Sequence, residues 1–115
     1  MATYFLIKRG DTSPSLDVQL QNYLRKPVTT LAGSSIVFSM RNENGTVVVN
    51  RSPATLVDAA TGTVRYNWLE GDTQYAGTMQ GEFEVTFPSG KVETYPKARV
   101  SYGNFIPIIV TDDIS

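Results

Sequence analysis

Polar and apolar residues alternate with a period of two along most of the chain. Successive side chains of a strand point to opposite faces, so this pattern predicts half-buried β-strands. Tyr4, Leu6 and Lys8 alternate with Phe5, Ile7 and Arg9, and Leu16, Val18 and Leu20 alternate with Asp17, Gln19 and Gln21. Ile36, Phe38 and Met40 define a third strand, and Thr46–Asn50 its return across Asn44-Gly45. Asn-Gly tolerates the positive φ angles that a tight hairpin needs. Ala54–Asp58 is the next short strand, followed by one carrying Val64, Tyr66 and the single tryptophan, Trp68. The longest alternation pairs Met79, Gly81, Phe83, Val85 and Phe87 with Gln80, Glu82, Glu84 and Thr86. Pro88-Ser89-Gly90 turns it back into Lys91–Tyr95, and Ile106–Thr111 forms the last strand.

The connections carry turn chemistry. Gly10–Pro14, Ala59–Gly62 and Glu70–Thr73 are rich in Gly, Pro, Asp and Thr, which reverse the chain or cap its backbone groups. Residues 22–34 form a longer connection in which Leu31 is expected to anchor into the core. Pro96–Gly103 reads as irregular, although Val100 and Tyr102 have the spacing to prolong a strand, and Thr73–Gly77 has room for one helical turn. No window sustains a helical period. About eight strands in one domain, with turn signals throughout, predict an all-β sandwich or barrel; the strands with one polar face favour an antiparallel β-sandwich spanning residues 1–115.

Composition then narrows the chemistry. The chain has 115 residues, of which 41% are hydrophobic, so one ordinary core is within reach. It has no cysteine and no histidine. Disulfides, thiol nucleophiles, Cys-type zinc sites and a Ser-His-Asp triad are therefore excluded. Any reaction would rest on carboxylates, Lys or Tyr, and the acids are scattered over turns and outer strand faces. The expectation is a non-enzymatic protein without a cofactor, a metal or a small-molecule substrate. Ten basic against eleven acidic residues supply no strong basic field for nucleic acid. No apolar run has the roughly 20 residues of a membrane-crossing helix, and the N-terminal run has no basic region before it, so neither a membrane span nor a signal peptide is expected.

Two short motifs have simple readings. Arg9-Gly10-Asp11 is a tripeptide that some adhesion receptors bind, but a strand-end turn closed by Gly10 and capped by Asp11 and Thr12 accounts for it. Glu70 and Asp72, with Thr73 beside them, offer too few oxygens for a calcium loop, which takes six to eight ligands. A capped turn between sheets is expected there.

The order of these signals resembles the immunoglobulin-like domain found at the N-terminus of phage baseplate upper proteins and as a stand-alone tail-associated protein. The resemblance is carried by Ile7–Thr12 with Pro14 and Leu16, and by Leu31-Ala32-Gly33 leading into Ile36, Phe38, Met40 and Arg41. It continues through Val57–Gly62, Val64–Tyr66 with Trp68, Gly71-Asp72-Thr73 with Ala76-Gly77, and Glu82–Phe87. It implies an immunoglobulin-like sandwich of about seven to eight strands and a structural role in a tailed-phage virion. The expected partners are other virion proteins and neighbouring copies, contacted through tail or baseplate docking. Many such sandwiches place a Tyr soon after the Asp-Thr turn, bonded back to it; here Met79 stands nearest that place.

Terminal strands are natural docking elements, because an edge strand presents unpaired backbone groups. Phe5, Ile106 and Ile108 are the apolar candidates there, with ordinary core packing as the competing reading. Tyr75 and Tyr102 are candidate interface aromatics. A capsid or neck decoration protein is an alternative on the same fold. A receptor- or carbohydrate-binding module, with Tyr75 and Tyr102 as stacking platforms, is the alternative from another class.

Overall fold

A computed structural model describes residues 4–97 and 105–112. Among these residues there are nine strands and no helix. They are β1 (Phe5–Lys8), β2 (Leu16–Gln19), β3 (Ser35–Asn42), β4 (Val47–Pro53), β5 (Thr55–Asp58), β6 (Thr63–Tyr66), β7 (Gly77–Thr86), β8 (Val92–Tyr95) and β9 (Ile106–Thr111). Six form one sheet in the order β1-β9-β7-β3-β4, with β8 on β7; β2-β6-β5 form the other.

The long alternation of β7 makes it the centre of the larger sheet. Along one side it pairs with β3 from Ser35↔Thr86 to Asn42↔Met79. Its other side is shared: Gly77–Gly81 pairs with β9 and Phe83–Thr86 with β8. Its odd-numbered residues, Met79, Phe83 and Val85, are buried, while Glu82 is exposed and Glu84 half-buried. The period-two reading is therefore met from Met79 to Thr86.

One pairing departs from the antiparallel expectation. β1 runs parallel to β9, with Phe5↔Ile108 and Ile7↔Val110 in register. A hairpin forces antiparallel neighbours, but these strands are joined only through the rest of the domain, so no short turn dictates their direction. Two boundaries also move. β4 continues to Pro53 through irregular register against β3, where Arg51 adopts φ 49° and donates its backbone N–H to Ser39 Oγ at 3.0 Å. Trp68 lies beyond the end of β6, yet is 4% exposed. The Thr73–Gly77 segment forms no helix.

The two sheets close on an aromatic centre. Phe38 of β3 stacks on Tyr66 of β6 at 4.6 Å between ring centroids and packs against Phe83 of β7 at 5.0 Å. Trp68 meets both Phe38 and Tyr66 edge to face, a geometry that sets the positive edge of one ring on the negative face of another. Gly81 makes room for this packing: a Cβ there would lie 2.8 Å from Ile108 Cδ1 and 2.9 Å from the Phe38 ring.

The long connection is tied down in the same way. Leu31 is fully buried, as expected of an anchor. Leu20 N–H bonds to the carbonyl of Gly62, and Val28 N–H to that of Leu20. Gly62 has φ +71°, and a Cβ there would lie 2.5 Å from the Val28 carbonyl oxygen. Both its conformation and the close approach demand glycine.

Candidate functional site

The edge strand β1 and its neighbour β9 are apolar on both sides. In a two-layer sandwich only one side can enter the core. Phe5 and Ile7 turn inward: Ile7 is buried, and the half-buried Phe5 ring lies 5.9 Å from that of Trp68. Leu6 turns outward, 53% exposed, with Ile109 directly across the pair. Tyr4, just before the strand, is 52% exposed. Pro107 and Ile109 of β9 are half-buried on the same outer side.

This places the sequence candidates individually. Ile108 has no exposed surface; it sits in the core over Gly81, and so does not supply a contact surface. Phe5 and Ile106 are half-buried and pack against the same core. All three share the inward parity. The outward residues, Leu6 and Ile109, were missed because both parities of Tyr4–Ile7 and Ile106–Val110 are apolar. That doubled apolarity was itself the available signal. Tyr102 lies outside the described residues, as does Val100.

Tyr75 is 63% exposed on the turn before β7. It borders an open groove of about 530 Å³ between that turn and the tip of the β3–β4 hairpin. Both walls are braced. At the hairpin tip, Asn42 Oδ1 accepts the backbone N–H groups of Asn44 at 3.0 Å and Thr46 at 2.9 Å. In the opposite wall, Asp72 Oδ2 accepts Leu69 N–H at 2.9 Å and the Tyr66 hydroxyl at 2.5 Å. Thr73 Oγ donates to the Asp11 carbonyl at 2.8 Å, and the Thr73 carbonyl accepts Gly10 N–H at 3.0 Å.

These bonds define the local structure of two motifs. The Glu70–Thr73 segment is a capped turn whose Asp72 carboxylate is committed to Tyr66 and Leu69. No cluster of three potential metal-ligating residues occurs among the described residues. The Arg9-Gly10-Asp11 turn is held on both sides: Arg9 N–H bonds to the Thr111 carbonyl and Asp11 N–H to that of Lys8. Arg9 also pairs with Asp112 at 3.4 Å.

The tyrosine bonded to the Asp-Thr turn is Tyr66, which precedes that turn. Met79, at the place where a following tyrosine would stand, is buried in the core. Burial, followed by the hydrogen bond to Asp72, pushes the Tyr66 phenol up to about 12. Tyr95 is also pushed up to about 12, by burial and by the adjacent Glu93 carboxylate. Neither phenol is poised as an acid or base near neutral pH. Lys97 Nζ caps the Tyr95–Glu93 cluster, 2.7 Å from Glu93 Oε1 and 4.8 Å from the Tyr95 ring centroid.

No protein-family model matches the chain, and no curated protein matches it in sequence.

Proposed function

We propose that the chain is an immunoglobulin-like sandwich that serves as a structural component of a tailed-phage virion, docked on the tail or baseplate. The strand order supports the fold part of this reading. In immunoglobulin sandwiches one sheet carries strands B, E and D, and the other G, F, C and, in the variable type, C′. The sheet β2-β6-β5 and the run β9-β7-β3-β4 follow that order; the extra strand β8 falls between the F-like and G-like strands in the chain and pairs with the far end of β7. The resemblance to the phage baseplate upper protein domain supports the rest.

The observation that carries the docking role is the apolar outer side of β1 and β9. Leu6 of the edge strand, at 53%, and Tyr4 just before it, at 52% exposure, stand on the same side as Ile109 of the neighbouring β9. A solvated strand normally places polar residues there. The partner is another virion protein presenting an apolar patch, with an open strand edge that can continue the sheet past β1. The protein works by contact, without a reaction.

The test is quantitative mass spectrometry of purified particles, separated into tails and DNA-filled heads. The protein is expected in the tail fraction at a fixed copy number. Its absence from every particle fraction overturns the reading, and its recovery from heads alone overturns the tail assignment. Leu6→Glu is expected to fold normally and be lost from tails by at least about tenfold, since a charge replaces a buried apolar contact.

A further inference from the structure

We propose that the groove between the β3–β4 hairpin tip and the turn before β7 is a binding site for a neutral saccharide. The groove is about 530 Å³, within the range of small-molecule sites. The groove adjoins the apolar β1–β9 side at Thr78, which pairs with Ile109, but it is lined by other residues, so the inference does not rest on the docking role.

The chemistry of the lining selects the ligand. Tyr75, 63% exposed, offers an aromatic face on which the apolar C–H side of a sugar ring can rest, with a hydroxyl at its tip. Val47 lies in the same groove, 56% exposed. Around them stand Asn44, Gln74 and Glu43, while Asn42, whose Oδ1 is taken by the hairpin tip, has only its NH2 group to offer. Amides donate and accept, and a carboxylate accepts, so this set suits the mixed donor and acceptor hydroxyls of a sugar. The described residues that line the groove include one carboxylate and no Lys or Arg. Anionic sugars and phosphates therefore find no counter-charge there, and Glu43 repels them.

The walls are held in place before any ligand arrives. Asn42 Oδ1 fixes the hairpin tip through two backbone N–H groups, and the Asp72 carboxylate fixes the opposite turn. A rigid site loses less conformational freedom on binding. That matters for a shallow groove with a single aromatic platform. The backbone brings these walls together from segments about 30 residues apart, joined by the pairing of Asn42 with Met79.

The experiment is a ¹H–¹⁵N chemical-shift titration of the full chain with maltotriose, cellotriose, chitotriose and a galactose trisaccharide, and with sialyllactose as the anionic control. Each is taken to about 10 mM, a range that captures millimolar binding. At least one neutral probe is expected to shift residues 42–48 and 71–79. Tyr75→Ala, with an otherwise unchanged spectrum, is expected to weaken binding about tenfold or more, while Tyr75→Phe keeps the ring and stays within about threefold. No shifts with any neutral probe overturn the proposal. So do shifts confined to another surface, binding of sialyllactose alone, or full affinity in Tyr75→Ala.

Discussion

The two sheets of the sandwich turn very different outer sides to solvent. The three-stranded sheet is largely polar outside, with Val57 of β5, 46% exposed, as an apolar exception. Asp17 and Arg65, directly paired across β2 and β6, form a two-point contact at 2.8 and 2.9 Å. Ser15 Oγ donates to the same Asp17 carboxylate. The larger sheet has Leu6 and Ile109 outside along β1 and β9. The same architecture thus carries a sheet satisfied largely by water and internal pairing, and one that is polar over β7 but leaves apolar surface unpaired along β1 and β9. A strand's inner residues are dictated by the core. Its outer residues are free to vary, and where they are apolar without need they point to contact with another molecule.

The sharpest way to break this comparison is to exchange the two parities of the β9 strand. Ile108→Ala removes a fully buried side chain and is expected to cost about 2–5 kcal/mol. Ile109→Ala, one residue along on the outer side, is expected to cost no more than about 1 kcal/mol. Urea denaturation of the two variants beside the wild type measures both. Equal losses would mean that the outer side is packed as tightly as the core, and the distinction between the two sheets would fail.

That parity is also where the sequence stops being informative. β7 is legible because acids and apolar residues alternate, so Glu82 and Glu84 identify the outer side without a structure. β1 and β9 lack such a marker: Phe5 and Leu6, or Ile108 and Ile109, are chemically equivalent until a partner strand defines the register. Their parallel pairing is non-local and has no turn to announce it. The same reason hid the groove. Tyr75 reads as an exposed aromatic, but Asn42–Asn44 come beside it only through the β3–β7 register. The Tyr66–Asp72 bond is not legible in the sequence because the expected tyrosine follows the turn, while Tyr66 reaches it from the preceding strand. Trp68 reads as a strand residue, but its backbone has already left the ladder when its ring turns inward to the core.

An intermediate effect is expected inside the three-stranded sheet, at Tyr66. Tyr66→Phe keeps the stack on Phe38 and deletes the bond to the Asp72 carboxylate. A hydrogen bond to a charged group sets the loss at about 1.5–3 kcal/mol near neutral pH. The phenol pKa is raised from 10.0 to about 12 in the folded chain. The unfolded state therefore loses its proton first, and the stabilisation present below pH 10 is lost as pH rises through about 12. The gap between wild type and Tyr66→Phe is expected to narrow over that window. Tyr95, raised to about 12 as well, leaves the variant with its own alkaline loss. Urea titrations between pH 8 and pH 11 follow the gap; a constant difference would mean that the hydroxyl acts through packing alone.

The smallest effect belongs to the polar outer side itself. The Arg65 guanidinium hydrogen-bonded to Asp17 holds its carboxyl below the ordinary value of 3.8. A depressed carboxyl stabilises the fold above its unfolded pKa, and that stability is lost as pH falls through the folded value. Asp17→Asn is therefore expected to lower the melting temperature slightly at neutral pH and to converge with the wild type as the solution is acidified below about pH 4. The two side chains are 43% and 42% exposed, so solvent and salt screen the pair and the shift should lie near the limit of detection. Added salt is expected to shrink it further, while the cost of Ile108→Ala, which is apolar in origin, does not shrink. Thermal melts of both variants from pH 2 to pH 7, at low and high salt, separate the two origins. A loss in Asp17→Asn comparable to that of Ile108→Ala and insensitive to salt would mean that the polar side is a structural element of the sandwich, and the contrast with the apolar side would no longer mark the latter for docking.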